Sequence, residues 1–266
     1  APDAVVKEGD VVSYTIFHDE PEVDFTHDIV YEDDDLLAVA KSGNVPVHAC
    51  GVYIRNTLIA HLKNCYGAHL NLAHRLDRET SGVLLLTKNR GAARNVSRQF
   101  GAAEVVKLYL SVVHGRVPYT AFDVNAPIGK TEEAHRLDED RRTMRGVRSS
   151  LHEDLPSSVP KRQVDFVNGK PAKTRFKVVR LVGDWTLLEA WPQSGRTNQI
   201  RVHLHHAGYP VVGDKVYRTP GRSGAEVFPR HALHCARMDV RHPTTGQIVR
   251  IEAPLPADMK RLIQEV

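Results

Sequence analysis

Read as alternating apolar and polar positions, the chain divides into short β-like runs and a few helical ones. "DIVYEDDDLLAVAKS", from Asp28, predicts two strands around an acidic turn, since Val, Ile and Leu flank an Asp-Asp-Asp break. "NTLIAHLKNCYG" sets Leu58, Ile59, Leu62 and Cys65 on one helical face, with Asn56 or Thr57 as cap and Gly67 as stop. "SGVLLLTK" suits a buried strand, and "NRGAARNVSRQFG" a short helix ending at Gly101. "VVKLYLSVVHG" alternates in the β manner: Val106, Leu108 and Leu110 form the apolar face, Lys107, Tyr109 and Ser111 the polar one. Further on, "KTRFKVVRLVGDWTLLEAWP" predicts a hairpin turning at Gly183-Asp184. "TNQIRVHLHHAG" is a helix that Gly208 ends, and "ALHCARMDVRHPTTGQIVRIEAP" is a second hairpin. "PADMKRLIQEV" is a further helix. Strands outnumber helices and come in pairs, which predicts an α+β fold: a mixed, largely antiparallel central sheet flanked by helices and loops.

At 266 residues the chain is long enough for one large domain or two small ones. Its apolar runs fall far short of the roughly 18–20 residues that span a bilayer, so no membrane association is expected. Three widely spaced cysteines, Cys50, Cys65 and Cys235, argue against a disulfide framework or a structural zinc site. They point to an intracellular, reducing compartment, with cytoplasm, nucleus and mitochondrion left open. Lys and Arg exceed Asp and Glu only by 36 to 32, but the distribution is uneven. Lys161, Arg162, Lys170, Lys173, Arg175, Lys177 and Arg180 face a single acid, Asp165, a concentration that suits a polyanionic partner.

Ala-His-Arg-Leu-Asp occurs twice, at 73–77 and at 134–138. The second copy sits in the most polar stretch, about 130–163, which lacks the periodicity of a packed element. The first runs through Thr-Ser-Gly into Val-Leu-Leu-Leu, so Asp77 stands on a loop anchored by a buried strand. Of the two, Asp77 is the candidate reactive group. His203, His205 and His206 lie close together, but no carboxylate or cysteine stands at ligand spacing, and no metal site is expected.

"HRLDRETSGVLLLTK" resembles the catalytic motif of pseudouridine synthases, in their RluA (ribosomal large subunit) branch. "VKLYLSVVHG", "SGRTNQIRVHLHHAGYPVVGDKVY" and "LHCARMDVRHPTTG" are similar to further motifs of that family, in the same order. The resemblance implies a pseudouridine synthase-like catalytic domain over about 25–266, carrying a polar insertion at about 130–163. It also makes 1–24 similar to the tail of an S4-type RNA-binding module. The implied activity is isomerisation of specific uridines in structured tRNA or rRNA, by base flipping and with no cofactor. A monomer without protein partners is expected. Carried over, Asp77 is the nucleophile and Arg201 the cation that keeps it ionised. Tyr109 is the tyrosine that stacks on uracil and has been assigned as base at C5, and Ile200 is the apolar wall. Arg75 fills the vacated stack, and His74 shapes the loop. Lys107, Arg196 and Asn198 contact substrate, with Asn198 standing where the family usually has His. The residues suit this chemistry, because an isomerisation needs neither redox group nor metal and one held carboxylate can serve. Two rival readings are weaker. A non-catalytic RNA-binding protein would have no need of Asp77, and a glycoside hydrolase needs a second carboxylate. Glu79, on the same loop, is expected to point outward.

Overall fold

A computed structural model of the chain describes residues 20–136, 161–218 and 228–264. The Asp-rich break after Tyr31 makes the first turn: Asp33 Oδ1 accepts from the Asp35 and Leu36 amides at 2.9 and 2.7 Å, joining β1 (His27–Glu32) to β2 (Leu36–Lys41). There follow α1 (Leu58–Tyr66), β3 (Asn71–Leu72), β4 (Ser81–Thr87), α2 (Arg90–Gly101) and β5 (Val106–His114). Next come β6 (Ala121–Asn125), β7 (Ile128–Lys130), β8 (Arg162–Val164), β9 (Lys173–Val182), β10 (Trp185–Pro192) and α3 (Gln199–His206). β11 (Leu233–Arg241), β12 (Ile248–Glu252) and α4 (Ala257–Gln264) complete the described elements.

Ten of these strands form one sheet in the order β1-β2-β4-β11-β5-β10-β9-β6, with β3 paired to β4 and β12 to β11. β7 and β8 make a separate ribbon. All ladders are antiparallel except β4–β11, so the expected α+β class with a mixed, largely antiparallel sheet is found.

The insertion of β11 between β4 and β5 sets where the candidate residues stand. Cys235 on β11 pairs with Gly82 on β4 and with Tyr109 on β5, so the residues that follow Asp77 and the strand that carries Tyr109 share one row across the sheet. β4 is buried along its whole length. Complete burial of Val83, Leu84, Leu85 and Leu86 stabilises the fold by about 1.5–3 kcal/mol for each side chain, and this fixes the loop that leads into the strand. Only glycine fits at 82. Its φ is +110°, and a Cβ there would stand 2.1 Å from the Cys235 carbonyl oxygen.

Three expectations need correction. On β5 the polar face is the inward one: Ser111 is fully buried and Tyr109 is 8 % exposed, whereas Val106 is 47 % exposed. Tyr109 and Val113 from that face join the apolar core, so what packs on a face, not residue type, decides which one is buried. Glu79 turns inward, its side chain drawn toward His231 and Lys215. The second Ala-His-Arg begins in a short helical segment over 132–136, with Ala134 buried, so the start of the polar stretch does pack. Asp138 and the arginines at 141–148 lie outside the described residues, as does most of the segment expected to resemble an S4 tail.

Gly82→Ala should destabilise the fold by about 3 kcal/mol or more, because backbone strain and a backbone clash combine at the sheet's centre. Urea unfolding would measure it, and a loss below about 1 kcal/mol would contradict this account of the β4–β11 pairing.

Candidate active site

The loop from Asp77 to Ser81 is held at nearly every residue. The Thr80 amide donates to the Asp77 carbonyl at 3.0 Å, closing a tight turn. Lys41, buried at the end of β2, directs its ammonium to three backbone oxygens: Ser42 at 2.7 Å, Val45 at 3.0 Å and Arg78 at 2.8 Å. Burial pushes its pKa well down, with the neighbouring Arg230 adding to the shift. Arg230, also buried, donates from Nη1 to the Glu79 carbonyl at 2.9 Å, and its Nε and Nη2 grip Asp258 on α4 at 2.8 and 3.1 Å. His231 Nε2 meets Thr80 Oγ1 at 2.7 Å, and His234 Nδ1 meets Ser81 Oγ at 3.0 Å. Burial alone would raise the Glu79 carboxyl, but hydrogen bonding to His231 and the Lys215 charge hold it at about 2. A loop clamped this way presents its first residue in one place.

That residue, Asp77, faces Arg201 from α3. Arg201 Nη1 donates to Asp77 Oδ2 at 2.8 Å. The other side of the guanidinium forks onto Asp214, with Nε at 2.7 Å and Nη2 at 2.8 Å. Asp214 is the deeper carboxylate: its side chain is 0 % exposed, against 29 % for Asp77. Its Oδ1 also accepts from the Val216 and Tyr217 amides at 2.9 and 3.0 Å. Burial opposes charge on Arg201, yet Asp214 and then Asp77 more than offset this and raise its pKa above the ordinary value. The Tyr217 ring lies under the guanidinium, 5.0 Å from its carbon. Asn198 in turn donates to the Tyr217 hydroxyl at 3.2 Å. Asn198 has φ +56° at the N-cap of α3, a left-handed conformation that Asn tolerates better than most residues.

Asp214 falls within a stretch that carries the resemblance but was given no role there. The sequence shows only an acid after Gly213 in "VVGDKVY", which reads as a turn cap; an acid placed so between an apolar run and a tyrosine was the available signal. Lys41 and Arg230 were hinted at more faintly, as single cations set in the apolar "LAVAK" and "VFPRHAL".

The other sequence candidates divide by environment. The Tyr109 phenol is raised well above its usual range by burial first, then by Cys235 and Asp77, so it stays protonated at neutral pH. Burial lowers Lys107, which donates to the Ser194 carbonyl at 3.2 Å. His74 Nε2 accepts from the Leu85 amide at 3.1 Å, its ring stacks on Phe100, and burial holds its pKa at about 4. It therefore braces the loop from inside. Ile200 is buried in the main apolar core. Arg75 is exposed and bonded to His48, and Arg196 is exposed with Nε donating to the Pro171 carbonyl at 3.2 Å. Of the clustered histidines, His203 commits both ring nitrogens, to Thr174 Oγ1 and the Ala126 carbonyl, each at 2.9 Å. Among the described residues no group of three or more His, Cys, Asp or Glu side chains could hold a metal ion.

A carboxylate steadied by a buried guanidinium at a strand end is a catalytic geometry with many uses, and comparison decides among them. The sequence model of RNA pseudouridylate synthases matches residues 35–206. The chain belongs to that family. The synthase is 33 % identical to an uncharacterised RNA pseudouridine synthase of Bacillus subtilis, YlyB, over 98 % of its own length and 81 % of the relative's. It is 34 % identical to ribosomal large subunit pseudouridine synthase C of Escherichia coli K12, over 90 % and 69 %. The human RNA pseudouridylate synthase domain containing 1 structure superposes with a TM-score of 0.67 at 27 % identity, covering 89 % of the synthase and 86 % of that chain. The protein is thus an RNA pseudouridine synthase, an isomerase that converts uridine in RNA to pseudouridine. Asp77, Tyr109 and Arg201 lie inside the family match, whereas Asp214 and Arg230 lie beyond its end.

Two stability predictions follow from the burial of these groups. Asp214→Asn in the synthase should cost about 3–5 kcal/mol, since it breaks a fully buried ion pair, while Asp77→Asn should cost under about 1 kcal/mol. Urea unfolding at pH 7 without RNA compares them; equal losses would contradict the assignment of Asp214 as the deep anchor. His234 gives the pH dependence. Burial sets its folded pKa at about 4, below the ordinary 6.5, despite its bond to the Ala253 carbonyl. Between those values the unfolded chain binds a proton that the folded chain refuses. Stability should therefore be complete above about pH 6.5 and fall as pH drops toward 4, by at most about 3 kcal/mol from this group. A His234→Gln variant should show a shallower fall; an identical one would remove His234 as the source.

Proposed function

We propose that Asp77 is the nucleophile of this synthase and that Arg201, fixed by Asp214, sets its position and charge. The observation that carries the reading is the 2.8 Å contact between Arg201 Nη1 and Asp77 Oδ2, made by a guanidinium whose other edge is already committed. In this reading the Asp77 carboxylate attacks C1′ of the uridine. The N1–C1′ bond breaks and uracil leaves with the electron pair on N1. The base turns, C5 bonds to C1′ and the Asp77 oxygen is released. A proton then leaves C5 and N1 gains one, so the product is an isomer and no cofactor takes part.

Asp77 itself is the better acceptor for the C5 proton. Tyr109 could accept it only as a phenolate, which burial and the Asp77 charge both oppose. Its ring suits stacking on uracil, and its hydroxyl suits donation. A second reactive carboxylate, as a glycoside hydrolase needs, finds no support: Asp214 accepts two bonds from one edge of Arg201 and one from each of two amides. A uridine in folded RNA must leave its stack to reach Asp77, and in this reading Arg75 fills the gap, a role its exposure supports. Arg196 stands in the loop before α3 and Lys107 bonds that loop at the Ser194 carbonyl, which supports both as RNA contacts in this reading. Relatives named ribosomal large subunit pseudouridine synthase C favour ribosomal RNA of the large subunit over transfer RNA as the substrate class.

Asp77→Ala should lower single-turnover tritium release from 5-tritiated uridine RNA by about ten-thousandfold or more while RNA affinity stays within about twofold. Appreciable turnover by that variant would end the proposal, and Asp138→Ala should behave as wild type. Tyr109→Phe should retain the rate to within about tenfold. A loss as deep as that of Asp77→Ala would make Tyr109 the base instead.

A further inference from the structure

The turn between β8 and β9 is built with unusual care for a surface loop, and it presents apolar side chains to water. Asp165 Oδ1 accepts from the Val167 and Asn168 amides at 3.0 and 2.9 Å, and its carbonyl accepts from Gly169 at 3.0 Å. The base of the turn is tied to β7 by Asp165 N to Pro127 O at 2.9 Å and by reciprocal Ile128–Lys170 bonds at 3.0 Å. Two glycines make room for it. A Cβ on Gly169 would stand 2.1 Å from the Asp165 carbonyl oxygen, and one on Gly129 would stand 2.4 Å from its side chain. Yet Phe166 at the tip is 70 % exposed and Val167 is 89 % exposed. Ordering a loop costs entropy, and here the ordered product holds an aromatic ring in solvent.

The surroundings say what the ring meets. Lys161, Arg162 and Lys170 flank the turn, and Arg196 reaches its outgoing leg through the Pro171 carbonyl. Beside it lies an open cleft of about 760 Å³, lined by Arg136, Arg162, His205 and His206 and also by Glu132 and Glu133. The cleft and the reacting centre share one buried side chain. Tyr217, which lies under the Arg201 guanidinium, also lines it, and the Phe166 ring stands 6.4 Å from that of His206.

We propose that the Phe166–Val167 turn and this cleft form a second RNA-binding surface, holding an unstacked substrate nucleotide that flanks the uridine at Asp77. The inference rests on Asp77 being the reacting centre. The occupant is RNA because the flanking charge is basic and the family's substrate is a polyanion. Two exposed apolar side chains are also far too small a patch for a protein partner, whose interface buries about 800 Å² on each side. It is an unstacked nucleotide because an aromatic tip needs the open face of a base, which a duplex does not offer.

The test uses the full chain and two probes, a fluorescein-labelled single-stranded ten-nucleotide oligouridylate and an RNA duplex of equal length. Phe166→Ala should weaken single-strand binding by about 5- to 140-fold, the range expected for one base–aromatic stack, with an unchanged salt slope and unchanged thermal unfolding. Duplex binding should move by less than about twofold. Phe166→Trp should bind as wild type, and its added emission, above that of Trp185 and Trp191, should be quenched by the single strand. Arg162→Gln should reduce the salt slope by about one. Wild-type affinity in Phe166→Ala, or Phe166→Trp emission indifferent to RNA, would overturn the proposal. So would a change of oligomeric state on Phe166→Ala, since the turn would then be a protein contact. None of these readouts involves turnover, so failure of the Asp77 assignment would appear in tritium release and leave the binding series unmoved.

Discussion

One guanidinium, out of reach of water and shared between two carboxylates of different depth, organises this molecule. Arg201 is costly to bury, and Asp214 makes it tolerable: two short bonds to one carboxylate, itself anchored by two amides, fix the plane and direction of the fork. Of the donors that remain, one on Nη1 is aimed at Asp77. The division of labour follows from exposure. The deep acid neutralises and orients, while the shallower acid is held without being enclosed and stays open to a reacting partner. Removing Arg201 would therefore strand Asp214 more than Asp77, and loss of activity on its removal mixes chemistry with folding.

The opposite partner in the contact is fixed by equally unusual means. Most loops are held by their own turns, but this one has its carbonyls taken by buried cations, Lys41 on Arg78 and Arg230 on Glu79. Those cations belong to distant elements, the end of β2 and the approach to β11, and Arg230 continues to α4 through Asp258. The loop that carries Asp77 is thus held by four parts of the chain. Misplacement by about an ångström can cost two orders of magnitude in rate, so rigidity here is a functional property.

What could be read in the sequence was local. β4 is legible because a run of Val and Leu with no polar break has one sensible place, and α3 because Gly208 ends it. The pairing of Asp77 with Arg201, across 124 residues, came from family motifs, not from any pattern in the chain. What stayed hidden was non-local. Nothing around Arg230 announces that Glu79, 151 residues away, supplies its acceptor, and a lone Asp214 looks like a turn cap, which its two amide bonds also make it. The β5 faces were inverted for a related reason: alternation shows that a strand has two faces, but what packs against each one determines which is covered. Glu79 was expected to face outward, because charge implies exposure unless a partner such as His231 waits inside.

The central claim is that the Asp214–Arg201 pair exists to hold Asp77, not to stabilise the fold. An Arg201→Met/Asp214→Leu double variant separates the two, since replacing both members of a buried pair by apolar groups is commonly neutral or stabilising. The decisive measurement is the single-turnover rate of that variant at saturating RNA, taken where it is folded to within about 1 kcal/mol of wild type. The account predicts a rate lower by about a hundredfold or more in an intact fold. A rate near that of wild type would contradict it and would make the buried pair a structural feature alone.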